Sequence, residues 1–205
     1  TISFLLKDIP RLLTEYEQNQ IDSVIHPNLR SEKLLARCTA KAILSYYLKK
    51  APLDFNIAFK KSGKPVIYKE NICFNYSHSN GWYAFALDYH NEVGIDIEKI
   101  RPVTYEDKVV DRYFSKAQQE AYKRATKTYK TQTFFSIWTK IEAYIKCIGG
   151  SIFDYKIDEL NFSKFKEYSS IKKDIAFSIC SSSHQTDFIQ KDMELENHRG
   201  FTYFS

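Results

Sequence analysis

Residues 93–104 read Val-Gly-Ile-Asp-Ile-Glu-Lys-Ile-Arg-Pro-Val-Thr, and the character of the chain changes within this segment. Apolar residues alternate with other residues from Val93 to Glu98, which predicts a β-strand, and Arg101-Pro102 ends that pattern. Strand patterns precede the segment, helical spacing follows it, and strand patterns then return. The sequence therefore predicts an α+β fold of two similar-sized halves, residues 1–100 and 101–205.

The other predicted elements are spread over both halves. Helical spacing of apolar residues is clearest in segments 31–50 and 131–148, and Gly149-Gly150 ends the second of them. Further helical segments are predicted at Ile9–Ile25, Tyr105–Phe114 and Lys116–Lys127. Strands are predicted at Ile2–Leu6, Phe55–Phe59, Val66–Tyr68, Ile72–Ser77, Trp82–Asp88, Ser151–Leu160, Asp174–Ser181, Asp187–Gln190 and Phe201–Phe204.

Composition limits the classes of protein to which the chain can belong. Of its 205 residues, 43% are hydrophobic, which is enough for a packed core and excludes a mainly disordered chain. The net charge of +5 suits an anionic partner, but it falls short of the dense basic stripe of nucleic-acid-binding proteins. No RRM, KH or helix-turn-helix signature is present, so we expect no nucleic-acid partner.

The cysteines and the apolar runs bear on the compartment. Four cysteines are scattered without a CxxC pair or metal-ligand spacing, which is typical of reduced thiols in the cytoplasm. No apolar run approaches the roughly 18 residues that a membrane helix needs, and Thr1–Leu13 lacks the features of a signal peptide. We therefore expect a cytoplasmic protein without a membrane segment.

Two carboxylates, Asp96 and Glu98, lie two residues apart at the end of a predicted strand. Strand alternation places both side chains on one face, where they repel each other unless a cation lies between them. Mg²⁺ commonly binds one or two protein carboxylates together with phosphate oxygens of a substrate. The pair alone equally fits a charged strand end in solvent, because so short a motif is weakly specific.

A second cluster lies in the helical segment 131–148. Trp138, Glu142 and Lys146 are spaced four residues apart, so they share one stripe of the helix. An ion pair between Glu142 and Lys146, with Trp138 in the core, would explain this stripe without any function. The stripe nevertheless lies in an otherwise apolar segment, where unused charges are costly, so a functional role stays open.

A third group combines polar and cationic residues. Residues 74–81 read Phe-Asn-Tyr-Ser-His-Ser-Asn-Gly, and Ser77 and His78 point to opposite faces of an extended chain. They therefore cannot pair as nucleophile and base, and phosphate binding fits them better, with a simple turn as the alternative. Further candidate anion ligands, each of which could equally be a solvated charge, are Lys64, Arg30, Lys33 and Arg37.

Four segments together carry a family resemblance. They are Ser62-Gly63-Lys64-Pro65, Asn75-Tyr76-Ser77-His78-Ser79, Gly94-Ile95-Asp96-Ile97-Glu98 and Trp138 to Lys146. In this order and approximate spacing they resemble the motifs of the 4'-phosphopantetheinyl transferases of the surfactin-synthetase-activating type. The resemblance covers residues 26–150 of the chain, and it implies a pseudo-dimer of two similar α/β halves with the active site at their interface.

The resemblance also implies an activity. The family transfers the phosphopantetheine arm of coenzyme A to a serine of an apo acyl- or peptidyl-carrier protein, with Mg²⁺, and releases 3',5'-adenosine bisphosphate; holo-[acyl-carrier-protein] synthase activity is one example. By motif, Asp96, Glu98 and Glu142 would bind the metal. Glu142 would also act as the base for the carrier serine, directly or through a metal-bound water, and Lys146 would neutralise the transferring phosphate. The residues that would contact the adenosine phosphates of coenzyme A are Arg30, Arg37, Lys64, Ser77 and His78.

Two positions depart from the family pattern. Ile141 stands where family members usually have Lys, and Lys140, one residue earlier, is rotated away by about 100° on a helix. Gln118 ends a segment that in the family often ends in Glu. These departures leave a second hypothesis open, namely a catalytically impaired module of the same fold that binds a carrier protein or coenzyme A.

The resemblance further implies a carrier protein with an acidic surface as the partner. We therefore expect a basic, partly apolar patch, with Arg112 and Lys116 as carrier-protein-binding residues and Lys108, Lys123 and Arg124 beside them. Because two halves occupy one chain, we expect a monomer. The carrier protein could serve fatty-acid, polyketide or nonribosomal peptide synthesis.

Overall fold

The computed structural model describes residues 11–155, 157–184, 187–193 and 201–204. Its five α-helices within these ranges are α1 (Glu15–Asp22), α2 (Pro27–Leu48), α3 (Glu106–Tyr113), α4 (Lys116–Arg124) and α5 (Lys130–Ile148). The described strands are β1 (Ala58–Phe59), β2 (Pro65–Val66), β3 (Cys73–Ser79), β4 (Trp82–Asp88), β5 (Val93–Lys99), β6 (Lys166–Lys172), β7 (Ile175–Ser181), β8 (Gln190–Met193) and β9 (Phe201–Phe204). The predicted α+β class is confirmed.

The strands form three sheets that combine both ends of the chain. Strands β1 and β2 form a small antiparallel pair, and β5-β7-β6 is an antiparallel three-stranded sheet. The four-stranded sheet has the order β3-β4-β9-β8, in which β4 and β9 run parallel. Strands from the two sides of residue 100 thus pair with each other in both larger sheets. The two larger sheets therefore do not divide at the predicted boundary near residue 100. The pseudo-dimer stays a prediction.

Strands β3 and β5 belong to different sheets, and side-chain hydrogen bonds join them. Ser77 Oγ donates to Asp96 Oδ1 at 2.9 Å, and Ser79 Oγ donates to Glu98 Oε2 at 2.7 Å. The two serines lie on one face of β3 because side chains alternate along a strand. Both carboxylates of the Asp-Ile-Glu motif therefore lie between β3 and β5, where the two larger sheets contact each other.

Each long helix buries its apolar face on a sheet. The core around α2 includes Leu35 and Leu44 of the helix, with Phe74 of β3 and Phe85 of β4 stacked on each other. Helix α2 begins at Pro27, earlier than the predicted Ser31, because proline at the first helical position sets the backbone without losing a hydrogen bond. Helix α5 packs against β5 and β7 through a second core.

Several predictions of strands need correction. The strand predicted at 151–160 is wrong, because this segment forms two short 3-10 helices, Ile152–Asp154 and Ile157–Glu159. Ser151 caps the first of them, since its hydroxyl accepts from Phe153 N and its own N–H donates to Asp154. The last two predicted strands lie at β8 and β9, with β8 starting only at Gln190.

Two further differences concern strand β6 and the first helix. Strand β6 was not predicted, because its polar sequence Lys-Glu-Tyr-Ser-Ser-Ile-Lys suits an exposed edge strand rather than an alternating one. The helical segment predicted at Ile9–Ile25 is confirmed only as the shorter α1, which a capping box of Thr14 and Glu17 begins. The strand predicted at Ile2–Leu6 lies outside the described residues. Among the described residues, no helix combines the length and apolar character needed to cross a membrane.

Candidate active site

A cleft of about 700 Å³ opens where α1, α2, β3, β5 and α5 meet. Its volume lies within the range of small-molecule and cofactor sites. Residues from all the motif segments except the Lys64 turn line it. The predicted site residues in its wall are Arg37, Ser77, His78, Asp96, Glu98, Glu142 and Lys146, together with Lys33 and Trp138.

Asp96 is the most enclosed carboxylate of the cleft, with 4% of its surface exposed. Its Oδ1 accepts hydrogen bonds from Ser77 Oγ at 2.9 Å and from Lys146 Nζ at 2.6 Å. Its Oδ2 is buried and has no hydrogen-bond partner among the described residues. Because an unpaired buried carboxylate oxygen is costly, this atom is suited to receive a cation.

Burial and the negative charge of Asp96 raise the pKa of both Glu98 and Glu142. Burial raises the pKa of Glu98, and so does the Asp96 carboxylate, while hydrogen bonds from Ser79 and Arg101 oppose the shift. Burial raises the pKa of Glu142 to about 7, with the charges of Asp96 and Glu98 acting in the same direction and Lys146 against it. A carboxylate with a pKa near neutral pH can accept a proton during a reaction, which is what a general base requires.

Lys146 balances part of this negative charge. Burial disfavours its charged form, but the carboxylates of Asp96, Glu142 and Glu98 outweigh burial and raise the pKa of its ammonium group. The ammonium bonds Asp96 on β5 and Ser77 on β3 at 3.1 Å. The stripe on α5 is therefore more than an ion pair within one helix, because Lys146 reaches two other elements.

Arg37 is held in the wall of the cleft by several contacts. Its guanidinium donates to Tyr76 Oη and to Gln20 Oε1, each at 3.3 Å, and lies 4.9 Å from the centre of the Phe59 ring. The buried carboxylate of Glu17 also pairs with the guanidinium, with Oε1 at 3.9 Å. This preorganisation of a guanidinium suits the binding of an anion such as phosphate.

His78 is the second anion-binding candidate of this region. Burial lowers the pKa of its imidazole, the positive charges of Lys146 and Lys33 lower it further, and Glu32 opposes the shift. The imidazole is therefore neutral at pH 7, and it can donate one hydrogen bond to a phosphate oxygen. Its position on β3 next to Ser77 is consistent with strand alternation.

Helix α1 contributes a part of the cleft that sequence reasoning missed. Gln20, Ser23 and other residues of this region line the cleft. The helix is anchored by Glu17, which is fully buried, accepts from Ile57 N at 2.8 Å and pairs with Lys41 Nζ at 3.0 Å. The capping box at Thr14 was the available sequence signal for this helix, but no signal placed it beside the other motifs.

Lys64 and Arg30 were predicted to contact coenzyme A, and the structure places both elsewhere. Neither is among the described residues that line the cleft. The ammonium of Lys64 is buried, donates to the carbonyl oxygens of Cys147 and Val93, and pairs with Glu92. Lys64 therefore caps the last turn of α5, while Arg30 Nε donates to the carbonyl oxygen of Val24 at 2.8 Å.

The substitution Lys64→Met is expected to weaken folding rather than the binding of coenzyme A. It removes a buried cation and its bonds to two carbonyls, so the free energy of unfolding should fall by about 2 kcal/mol. Urea unfolding and titration with coenzyme A measure the two effects, and Lys61→Met, at an exposed neighbour, serves as the control. Unchanged stability with weakened binding of coenzyme A would instead restore the predicted contact.

The two departures from the family pattern have structural explanations. Ile141 is fully buried in the core around α5, whereas Lys140 points outward and pairs with Glu167 at 3.0 Å. Lys140 therefore does not replace the lysine that the family pattern has at position 141. Gln118 completes the capping box of α4, since its Oε1 accepts from Ser115 N at 2.9 Å, and glutamine serves there as well as glutamate.

The cleft offers carboxylate oxygens, which are the ligands that a divalent cation such as Mg²⁺ prefers, but the three carboxylates do not surround a common centre. Within the described ranges, no three His, Cys, Asp or Glu side chains lie close enough together to hold a metal ion. Mg²⁺ needs only one or two protein carboxylates, because waters and substrate phosphates supply its other ligands. The partnerless Asp96 Oδ2, beside two glutamates whose pKa values it raises, meets this requirement.

Comparison with known proteins agrees with this site. The model of the 4'-phosphopantetheinyl transferase superfamily matches residues 92–200. The chain is 27% identical over 162 residues to 4'-phosphopantetheinyl transferase HetI of Nostoc sp., covering 77% of this chain and 68% of HetI. It is 28% identical over 152 residues to 4'-phosphopantetheinyl transferase Sfp of Bacillus subtilis, covering 68% and 66%.

A third relative is 4'-phosphopantetheinyl transferase AcpT of Escherichia coli K12, with 30% identity over 154 residues that cover 74% of this chain and 76% of AcpT. The matched part spans about two thirds of HetI and Sfp and about three quarters of AcpT. The family model covers more than half of the chain, including Asp96, Glu98, Glu142 and Lys146. The chain therefore belongs to the 4'-phosphopantetheinyl transferase superfamily.

Proposed function

We propose that this protein transfers the 4'-phosphopantetheine moiety of coenzyme A to a serine of an apo acyl- or peptidyl-carrier protein, with Mg²⁺, and releases 3',5'-adenosine bisphosphate. The observation that carries the proposal is one cleft that combines the carboxylates of Asp96, Glu98 and Glu142 with the ammonium of Lys146. Relatives named 4'-phosphopantetheinyl transferases support the reaction class. A role as a holo-[acyl-carrier-protein] synthase is one form of this reaction.

In the proposed reaction Asp96, with Glu98 and Glu142 beside it in the cleft, would hold Mg²⁺ together with waters and substrate phosphates, and the metal would stabilise negative charge on the pyrophosphate. Glu142 accepts the proton of the carrier serine, and the serine oxygen attacks the phosphorus of the phosphopantetheine group. The bond from that phosphorus to the bridging oxygen breaks, and 3',5'-adenosine bisphosphate leaves with the electron pair. Lys146 neutralises the phosphate while negative charge develops on the leaving group.

The adenosine phosphates are proposed to bind where Arg37, Ser77 and His78 meet the cleft. Arg37 supplies a fixed positive charge, and the neutral imidazole of His78 supplies a hydrogen-bond donor. Ser77 Oγ donates to Asp96 in the structure, so it links the anion-binding region with the carboxylates. The presence of these groups in one cleft suits a ligand that carries several phosphates.

A mass measurement tests the proposal. The protein is incubated with coenzyme A, Mg²⁺ and an apo carrier protein, and the intact mass of the carrier protein is recorded. We expect addition of one phosphopantetheine group, abolished by EDTA and nearly abolished in Glu142→Gln. If several apo acyl- and peptidyl-carrier proteins all keep their mass, the proposed transfer is wrong.

Ile141 favours a second candidate, a binding module of the same fold with little transfer activity. The buried position of Ile141 leaves the described cleft without a lysine at that point of α5, and Lys140 lies outside it. This module would bind coenzyme A without modifying any carrier protein. Calorimetric titration with coenzyme A beside the mass assay separates the two candidates, because only the enzyme shows both binding and mass gain.

The carrier protein is proposed to dock on the exposed basic residues of α3 and α4. Arg112 and Lys116 are exposed, and the Arg112 guanidinium lies 5.2 Å from the centre of the Tyr113 ring. Tyr113 in turn contacts Trp138 of the cleft, with ring centres 6.4 Å apart. Arg112 is thus connected through Tyr113 to Trp138 in the wall of the cleft, which supports docking of a serine-bearing partner on this side.

Reversal of both charges, Arg112→Glu with Lys116→Glu, is expected to lower kcat/KM for the carrier protein about tenfold, because exposed interface charges mainly set the association rate. The affinity for coenzyme A should not change. The double variant Lys61→Glu with Lys164→Glu, at exposed lysines of other segments, makes the same change in net charge and serves as the control. An equal loss of rate in both double variants would contradict a specific docking surface.

We also propose that the protein acts in the cytoplasm as a monomer. The four cysteines all lie in described residues and form no disulfide, and three of them are buried, which agrees with a reducing compartment. Light scattering on the purified protein tests the oligomeric state, and a mass of twice the chain's 24.1 kDa would contradict it.

A further inference from the structure

The contact between Lys146 and Asp96 joins a flexible cation to a fixed anion. The Asp96 side chain is 6% exposed and is held by Ser77 on the neighbouring strand, whereas the Lys146 side chain is 27% exposed. A lysine carries its charge on a flexible four-carbon stem. If the pair separates, the lysine is therefore the partner that moves.

The charges around this contact explain why the lysine lies there. Asp96, Glu98 and Glu142 place as many as three negative charges in one wall, and Arg101 pairs with Glu98, at 3.3 Å. Within the described residues, the ammonium of Lys146 is the cation in contact with Asp96. Leaving a buried carboxylate unpaired is costly, so Lys146 can leave Asp96 only when another cation takes its place.

We propose that Lys146 is a resident counter-ion of Asp96, that a divalent cation bound at Asp96 Oδ2 repels the ammonium from Oδ1, and that this displacement frees the ammonium to bind substrate phosphate. The inference rests on the proposed function, because that function supplies both the cation and the phosphate. The exchange leaves Asp96 paired with a cation throughout, and the positive charge that the metal adds to the cleft favours the binding of phosphate. It also couples the two binding events, because phosphate gains its lysine only after the metal has arrived.

The exchange predicts that Lys146 competes with the metal. Binding of Mn²⁺ alone, without coenzyme A, is measured by electron paramagnetic resonance for the wild type and four variants. Because Lys146→Met removes the competing charge, it should bind Mn²⁺ about tenfold more tightly than the wild type. Lys146→Arg keeps the charge and should stay within about threefold of the wild type, and Asp96→Asn should lose the site.

Lys140→Met is the matched control, because Lys140 lies on the same helix but pairs with Glu167 outside the cleft. It removes the same charge from the protein and should leave the affinity for Mn²⁺ unchanged. Urea unfolding of each variant shows that the fold is intact. Unchanged or weaker binding in Lys146→Met, or tightening of equal size in Lys146→Arg or Lys140→Met, would overturn the proposal.

The result is separable from the proposed function. If the wild type modifies no carrier protein while Lys146→Met still binds Mn²⁺ more tightly, the counter-ion exchange stands and the transferase proposal fails. If transfer is observed and Lys146→Met binds Mn²⁺ like the wild type, the exchange is wrong and the transferase proposal stands.

Discussion

Glu142→Gln is expected to lower the rate of phosphopantetheine transfer about 10³-fold, with saturating coenzyme A, Mg²⁺ and carrier protein. Glutamine has nearly the shape of glutamate, but its side chain carries no charge for a cation and accepts no proton from the carrier serine. General bases contribute about 10² to 10⁴ in rate, and loss of a metal ligand adds to this effect. The initial rate of mass gain in the carrier protein measures it.

The same substitution is expected to stabilise the metal-free protein above neutral pH. Burial and the charges of Asp96 and Glu98 raise the pKa of Glu142 from 4.5 to about 7. Because the folded state binds this proton more tightly than the unfolded state, the free energy of unfolding of the wild type falls as pH rises from about 4.5 to about 7. Glutamine has no such loss, so the variant should exceed the wild type by about 2 kcal/mol at pH 8 and match it at pH 4.

Glu120→Gln is the control for both effects. Glu120 is exposed on α4, pairs with Arg124 at 3.0 Å, and lies outside the residues that line the cleft. Its substitution should change neither the transfer rate nor the dependence of stability on pH. A Glu142→Gln variant with the rate of the wild type would exclude Glu142 as the base, and a variant without stabilisation at pH 8 would contradict the cost of its buried charge.

The parts of the fold that could be predicted are those in which one local rule acts alone. Segment 93–99 alternates strictly, and segment 130–148 has helical spacing and ends at glycine, so both elements are confirmed within a residue or two. Segment 151–160 misled the prediction because its apolar residues suit a strand, while the Ser151 cap favours a turn of helix. Strand pairing across residue 100 left no local signal, because partners of that kind are set by packing alone.

The candidate site shows the same division. Periodicity made Asp96 and Glu142 candidates but left a non-functional explanation open for each, and the family resemblance assigned them to a site; the structure brings both to one cleft. The role of Lys64 could not be predicted from the sequence, because a lysine on a turn can bind a phosphate or the carbonyl oxygens at the end of a helix. Only the position of its neighbours distinguishes these two roles. Gln20 was missed since its contact with Arg37 joins two helices that the sequence does not relate.

Gly94→Ala is expected to prevent folding of most of the protein, because helix and strand meet at this residue without room for a side chain. A Cβ built on Gly94 would overlap the backbone oxygen of Ala143 and the backbone nitrogen of Cys147, and it would lie 2.8 Å from Cys147 Cα. Backbone atoms in the last turns of α5 cannot turn aside as a flexible side chain does. We expect a loss of at least about 3 kcal/mol in the free energy of unfolding, measured by urea titration and soluble yield.

Gly63→Ala is the control that distinguishes a steric clash, as at Gly94, from the loss of a backbone conformation that glycine adopts easily. Gly63 has a φ of +80°, but nothing lies within 4 Å of a Cβ at that position. Its substitution should cost about 1 kcal/mol for the left-handed backbone and should leave the transfer rate of the folded protein unchanged. Equal losses at the two glycines would contradict a steric origin for the requirement at Gly94.

The close approach at Gly94 also fixes the distance between the two groups that carry the proposed chemistry. Helix α5 bears Lys146, β5 bears Asp96, and their atoms lie 2.6 Å apart two residues along the strand from Gly94. An added methyl group would push the helix away from the strand and move Glu142 and Lys146 relative to Asp96. We therefore expect the folded fraction of Gly94→Ala, isolated at low temperature, to transfer phosphopantetheine at least tenfold more slowly per folded molecule, since small misplacements of reacting groups have large effects on rate. A folded fraction with the rate of the wild type would show that the helix can move without disturbing the site.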